Sequence, residues 1–268
     1  MRPGGQRSDQ WWCQLIVGHG AGAVRQRAAA AERTPWGWML TTPAVPRVWA
    51  VNRAQVVPRA GDLAADEVVA GIDAAHRAAG LAHRAVDLRS LADAERMQEA
   101  LVAADLVPLS LEVLTVDPVE LRERTAVAPA AEPAVTVAAE PAEAAIPVRA
   151  TAAGDGDEEE RRQVTAQWSL APARHVTHLL ARDADGQPLG GVVVHLASLH
   201  VEVDDLVTAA GHRGRGVGTA LLAAVAELAV ARDVGRVGLL ADPADRPAAW
   251  YRRLGFLPVG RTVQAIRP

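Results

Sequence analysis

Leu206-Val207-Thr208-Ala209-Ala210-Gly211-His212-Arg213-Gly214-Arg215-Gly216-Val217-Gly218-Thr219-Ala220-Leu221-Leu222 is the stretch that decides how this chain reads. The apolar residues up to Thr208 predict a strand end. Leu221, Leu222, Val225, Leu228 and Ala229 then recur at helical spacing within Gly216 to Arg232. Between the two elements Gly214, Gly216 and Gly218 remove the Cβ atoms that would keep a ligand off the backbone. Successive N–H groups at a helix N-terminus, with the positive end of the helix dipole behind them, suit a diphosphate. Each charge-assisted N–H to phosphate bond contributes on the order of 1.5 to 3 kcal/mol, so several can hold a nucleotide diphosphate without a lysine. Arg213 and Arg215 add side-chain charge. The plainer alternative is that these glycines only make a tight turn and a helix cap.

Lysine is absent: all 28 basic residues are arginine, which excludes a Walker loop, a Schiff-base lysine and a lysine general base. A dinucleotide fingerprint fails because Leu221 stands where its third glycine belongs. The 268 residues, 50% apolar and 22% charged, are enough to bury one or two cores. A formal net charge of −4 gives no general attraction to nucleic acid or anionic lipid. No apolar run approaches the ~18 to 20 residues of a membrane span, so no membrane partner is expected. The single Cys13 makes neither a disulfide nor a thiolate metal cage, and the cytoplasm is the expected compartment.

Outward from the loop, two units of α/β pattern emerge. Residues 1–33, rich in Gly, Ala and Arg, read as a poorly ordered leader, and residues 34–118 as a first domain of order β-α-β-α-β. Its elements are a strand at Val48 to Val57, a helix at Asp66 to Ala79, a strand at His83 to Leu88, a helix at Leu91 to Ala104 and a strand at Leu109 to Val116. Residues 119–133, dominated by Ala, Pro and Glu, read as a linker. In residues 134–268 an antiparallel meander (His175 to Arg182, Leu189 to Leu199, His200 to Thr208) leads through the glycine loop into a second β-α-β-α-β tail. The halves repeat at an offset of roughly 150 residues, which suggests duplication. Ala104-Asp105-Leu106-Val107-Pro108 lies opposite Leu254-Gly255-Phe256-Leu257-Pro258, and Leu101 lies opposite Tyr251. The first copy has no glycine loop, only Leu63 to Asp66 at that place.

With Leu206-x-Thr208 before it, Arg213-x-x-Gly216-x-Gly218 resembles the acetyl-CoA-binding motif of the GNAT superfamily of N-acetyltransferases, and Trp250-Tyr251-Arg252-Arg253-Leu254-Gly255-Phe256 resembles its Y-x-x-x-G-F segment. The first unit then reads as a degenerate GNAT-like domain. The whole arrangement is similar to tandem GNAT proteins of actinobacterial type and, distantly, to mycothiol synthase. The resemblance implies a mixed sheet that splays after the fourth strand of the catalytic unit. It implies acetyl-CoA as co-substrate, no metal, and transfer of an acetyl group to a primary amine of a small molecule or peptide. The backbone of Arg213, Gly214, Arg215, Gly216, Val217, Gly218 and Thr219 would cradle the pyrophosphate, and the main chain of Leu206, Val207 and Thr208 would meet the pantetheine arm. Tyr251 falls where many members protonate the departing thiolate; its plainer role is packing. Ala244 and Asp245 stand where many members carry an Asn.

Aminolysis needs a neutral amine, hence a proton acceptor near the thioester. Glu202 occupies the place where some members put a general base, with Asp204 and Asp205 as further candidates; solvated or merely attractive acids are the alternative. Strand alternation puts Glu202, Asp204 and Leu206 on one face and Asp205 on the other. The eight histidines show no metal-ligand spacing, and only His212 lies close to the cofactor loop. A non-catalytic acyl-CoA-binding or regulatory module would keep the same loop without the chemistry.

Overall fold

In the computed structural model, residues 7–57, 63–152, 158–170 and 176–268 are described. The first half comprises α1 (Asp9–Arg27), β1 (Ala30–Thr34), β2 (Gly37–Thr41), β3 (Arg53–Val56), α2 (Ala65–Ala78), β4 (Arg84–Leu88), α3 (Leu91–Ala103) and β5 (Val107–Val116). After α4 (Pro118–Ala126), the second half runs β6 (Thr136–Glu140), α5 (Ile146–Ala152), α6 (Glu158–Leu170), β7 (Val176–Arg182), β8 (Pro188–Leu196) and β9 (His200–Thr208). It ends with α7 (Val217–Ala231), β10 (Arg236–Ala241), α8 (Arg246–Arg253) and β11 (Leu257–Arg267).

All the described strands join one sheet in the order β1-β2-β3-β4-β11-β5-β10-β9-β8-β7-β6. Each half lends its last strand to the other. β11 lies between β4 and β5, while β5 lies between β11 and β10, antiparallel throughout. The repeat therefore closes on itself as two interlocked units. Both helix-to-strand turns after α3 and α8 use a left-handed residue at the matching place, Asp105 (φ 57°) and Gly255 (φ 91°), with the same pair of backbone bonds closing each turn. One core, with Leu221, Leu222, Val225 and Phe256 fully buried, lies under α7. Another, around Ile72, Leu88, Met97 and Leu101, lies under α2 and α3.

Three expectations are corrected. The segment read as a leader contains α1. Ser8 caps it by accepting a hydrogen bond from the Trp11 amide, and Trp12, Ile16, Val17 and Ala21 bury one face against the sheet. The segment read as a linker contains most of α4, which Asp117 caps and which drives the fully buried Leu121 into the core beside α7. The strand expected from Val48 shrinks to β3, because Asn52 turns its side chain onto the Val45 and Val48 carbonyls and shapes Trp49–Val51 into a 3₁₀ turn.

Parallel pairing of β9 with β10 runs only from His200–Arg236 to Val203–Leu239, and beyond it the two strands part. A bulge sits at that point: Val193 faces Asp204 and Gly191 faces Val207, so two residues of β9 oppose one of β8, and Asp205 takes φ 46°. The bulge breaks the expected alternation. Val201, Val203 and Leu206 face the core under α7, whereas Glu202, Asp204 and Asp205 all reach partners from α1, α5 or β8 on the other face.

Candidate active site

A cleft of about 480 Å³ opens where β9 and β10 separate. Leu206 and Val207 line it from β9, Leu239 and Leu240 from β10, and Tyr251 from α8; Glu202, Asp204 and Asp205 line it as well. From the first half come Gly20 and Arg27 of α1, Arg53 of β3, and Asp87 and Arg89 at the end of β4. The structure thus brings Tyr251 and Glu202 to one cavity, completed by the segment that reads from sequence as a leader.

The glycine loop stands at the start of α7, beyond the end of β9. Gly214 and Gly216 take φ 75° and 82°, and Gly216 is the helix N-cap, with no side-chain cap bond. A Cβ on Gly216 would come within 2.9 Å of the Ala131 Cα, so the conformation and the close approach both require glycine. Arg213, Gly214 and Arg215 are exposed, while Gly216, Gly218 and Thr219 are partly exposed. Among the described residues the amides of Arg213 to Thr219 find no acceptor within the protein. These are the orphan donors that an anion at a helix N-terminus satisfies. Arg213 Nε donates to the Thr208 carbonyl at 3.3 Å, tying the loop to the strand end, and Trp250 packs over Gly218.

The three acidic candidates separate by their partners. Asp205 is ion-paired to the buried Arg149 of α5. Asp204 accepts from His195 Nε2 at 3.1 Å and has Arg27 at 3.8 Å. Burial pushes both carboxyls up; in Asp204 the His195 hydrogen bond and Arg27 outweigh it and hold the group below the usual range, whereas Asp205 stays raised. Glu202 is buried and has no arginine partner among the described residues: its Oε2 stands 3.3 Å from His19 Nδ1. α1 makes room for it with glycine, since a Cβ on Gly20 would lie 2.6 Å from Glu202 Oε1. Of the three, Glu202 alone is without an arginine ion pair among the described residues.

Tyr251 packs between Trp250 and Phe256, with ring centroids at 4.8 and 5.5 Å. Burial pushes its phenol up to about 12, so it is fully protonated at neutral pH. Complete transfer of that proton to a group of ordinary thiol acidity would be uphill by about 5 kcal/mol, so Tyr251 is suited to donate a hydrogen bond and not to give up its proton.

His19, His195 and Arg27 are missed by sequence reading, because α1 hides in a Gly/Arg-rich stretch and His195 meets the site only through sheet register. His19, His200 and Glu202 place potential metal-ligand atoms within 4.8 Å of one another, a grouping that the sequence spacing conceals. His200 is fully buried, with neither ring nitrogen hydrogen-bonded. His212 lies in the 3₁₀ turn Ala210–His212 ahead of the loop. Cys13 packs against Gly260 and does not line the cleft. Among the described residues no helix is long and apolar enough to cross a membrane.

Residues 144–256 match the family model described as acetyltransferase (GNAT) family. No curated protein matches the chain. Among solved structures, a functionally unknown conserved protein from Staphylococcus epidermidis is similar at 17% identity and TM-score 0.67, over 88% of this chain and 92% of that one. A GCN5-related N-acetyltransferase from Kribbella flavida is similar at 21% identity and TM-score 0.63, over 96% and 95%. A tandem GNAT protein from the clavulanic acid biosynthesis pathway is similar at 16% identity and TM-score 0.57, over 96% and 93%. At such identities the likeness concerns the fold, and it extends through both halves. The chain carries a domain of the acetyltransferase (GNAT) family at residues 144–256, within a tandem GNAT fold.

Proposed function

We propose that this chain is an acetyl-CoA-dependent N-acetyltransferase that moves an acetyl group to a primary amine of a small molecule or peptide by direct attack within a ternary complex. In this reading residues 134–268 carry the chemistry and residues 34–118, with α1, wall the acceptor side. One observation carries it: a set of unpaired amides at the α7 N-terminus adjoins the parted strands whose cleft holds both Glu202 and Tyr251.

The residues fit the co-substrate. The amides of Arg213 to Thr219 would hold the diphosphate, and the edge of β9 from Leu206 to Thr208, which β10 no longer pairs, would receive the pantetheine arm. Acetyl-CoA, when bound, supplies the activated acetyl thioester. Glu202 accepts a proton from the incoming ammonium, and His19 fixes the orientation of its carboxylate. Tyr251, packed between Trp250 and Phe256, donates a hydrogen bond toward the departing sulfur, and its burial strengthens that bond.

Titration with acetyl-CoA should give a saturable complex, and a panel of primary amines should release free thiol from it. Tyr251→Phe should lower kcat about 10- to 100-fold while leaving the acetyl-CoA Kd within about twofold, as expected for a bond made mainly as sulfur charge develops. Equal kcat in the variant removes Tyr251 from the mechanism, and the lack of a saturable complex removes the proposal itself.

A further inference from the structure

The cleft is electrically two-ended. At its second-half end Asp204 and Asp205 are taken by Arg27 and Arg149, which line it too, and Glu202 is the carboxylate without an arginine partner among the described residues, the one toward which an ammonium is drawn. At its first-half end stand Arg53 and Arg89, with Arg25 close enough to be felt by charge. Asp87 is the acid lining that end, and it is taken by Arg53. Arg89 has no ion pair and no hydrogen bond among the described residues; its Nε is buried and unpartnered, and burial pushes its ionisation down, with Asp87 offsetting part of the effect.

A half-buried guanidinium without an acceptor is costly unless a ligand supplies one. The chain makes room for this one: a Cβ on Gly18 would lie 2.9 Å from Arg89 Nη2, just as one on Gly20 would strike Glu202. Gly18 and Gly20 are two residues apart and so lie about 200° around α1, which places Arg89 and Glu202 on different sides of that helix, at opposite ends of the cleft.

We propose that Arg89 is an anion subsite for the acceptor, which is accordingly an amine whose carboxylate or phosphate stands far enough from its amino group to span the cleft. This rests on the transferase reading above and deepens it. The planar guanidinium takes the anion in a two-pronged hydrogen bond while the ammonium faces Glu202, so the charge pattern of the cleft orients the amine.

The test uses matched probes, 6-aminohexanoate and 6-aminohexanamide, followed by thiol release from acetyl-CoA and, independently of chemistry, by titration into the protein saturated with CoA. The acid should bind at least tenfold more tightly than the amide, and Arg89→Gln should bring the ratio close to one by weakening the acid about 10- to 100-fold. Arg89→Lys should recover part of the preference, and thermal melting checks that each variant is folded. Equal binding of the two probes by the wild type, or a ratio that Arg89→Gln leaves unchanged, overturns the subsite. Selective binding of the acid without thiol release supports the subsite and counts against the transferase reading alone.

Discussion

The two halves start their equivalent helices in opposite ways. α2 opens from Ala64 with Asp66 and Glu67 in its first turn, and Glu67 Oε2 accepts from the Ala64 amide at 3.2 Å. α7 opens from the left-handed Gly216 with no acid in its first turn and no side-chain cap. The first helix satisfies its own N-terminus with carboxylates, worth roughly 0.3–1 kcal/mol at that end of a dipole. The second leaves its donors open and forgoes that stability. One helix start thus satisfies itself while the other leaves its donors open, and two acids in the first and a left-handed glycine in the second make the difference.

Rebuilding the α2 start on α7 is the harshest way to break the comparison. Thr219 occupies the position of Glu67, third from the helix start. Thr219→Glu should close the loop with a carboxylate and place like charge against the diphosphate, raising the acetyl-CoA Kd about a thousandfold, near 4 kcal/mol. The fold should stay as stable or gain a few tenths of a kcal/mol. Calorimetric titration beside chemical denaturation reads both; unchanged affinity would detach the glycine loop from the cofactor.

A second contrast lies further along the same helices: α2 buries a histidine, His76, whereas every buried residue of α7 is apolar. His76 is fully buried, with Nδ1 donating to the Ile72 carbonyl at 2.9 Å and Nε2 accepting from the Ala85 amide at 3.3 Å. Both bonds require the neutral ring, and burial pushes its pKa down from 6.5 to about 4. The folded value lies below the unfolded one, so the stabilisation is complete above about pH 6.5 and is lost as pH falls toward 4, by up to about 3 kcal/mol. His76→Leu, which gives α2 an all-apolar buried face like that of α7, should flatten the denaturation free energy between pH 7.5 and 4.5 by that order. It should also start lower, by about 1–3 kcal/mol, for the lost hydrogen bonds. Equal pH slopes in the two proteins would mean that His76 is not the group titrating.

What sequence reading captured was local. The glycine loop, the Tyr251 helix and the element order from β3 to β5 and from β7 to β11 each follow from spacings within some twenty residues, and glycine chemistry or apolar periodicity marks them directly. The rest depended on distant chain. The exchange of β5 and β11 is a register between segments far apart in sequence, to which alternation along either strand is blind. The bulge at Asp205 has no glycine to announce it, so alternation placed Leu206 on the wrong face. α1 buries only a narrow stripe, and the small residues around His19 that suggest disorder are the ones that let Glu202 and Arg89 approach it. The first-half end of the cleft was therefore its least visible part.

The mildest contrast tests the duplication itself. Asp105 and Gly255 end α3 and α8 in the same left-handed conformation, with Asp105 N bonded to the Val102 carbonyl and Gly255 N to that of Arg252. Glycine adopts that conformation without the penalty an L-residue carries, but it also gives the unfolded chain more freedom to lose. The two effects nearly cancel, so Asp105→Gly should raise stability by only about 0.5 kcal/mol. The reverse change, Gly255→Asp, meets an obstacle that Asp105 does not: its Cβ would lie 2.7 Å from Arg124 Nε and 2.8 Å from Glu120 Oε1. Those are flexible side chains that can shift, so the cost should be about 1 kcal/mol, read as a lower denaturation midpoint at unchanged slope. A loss of more than about 1 kcal/mol from Asp105→Gly would mean that the aspartate side chain holds its turn by contacts Gly255 lacks, and the two turns would then be alike in shape but not in what keeps them.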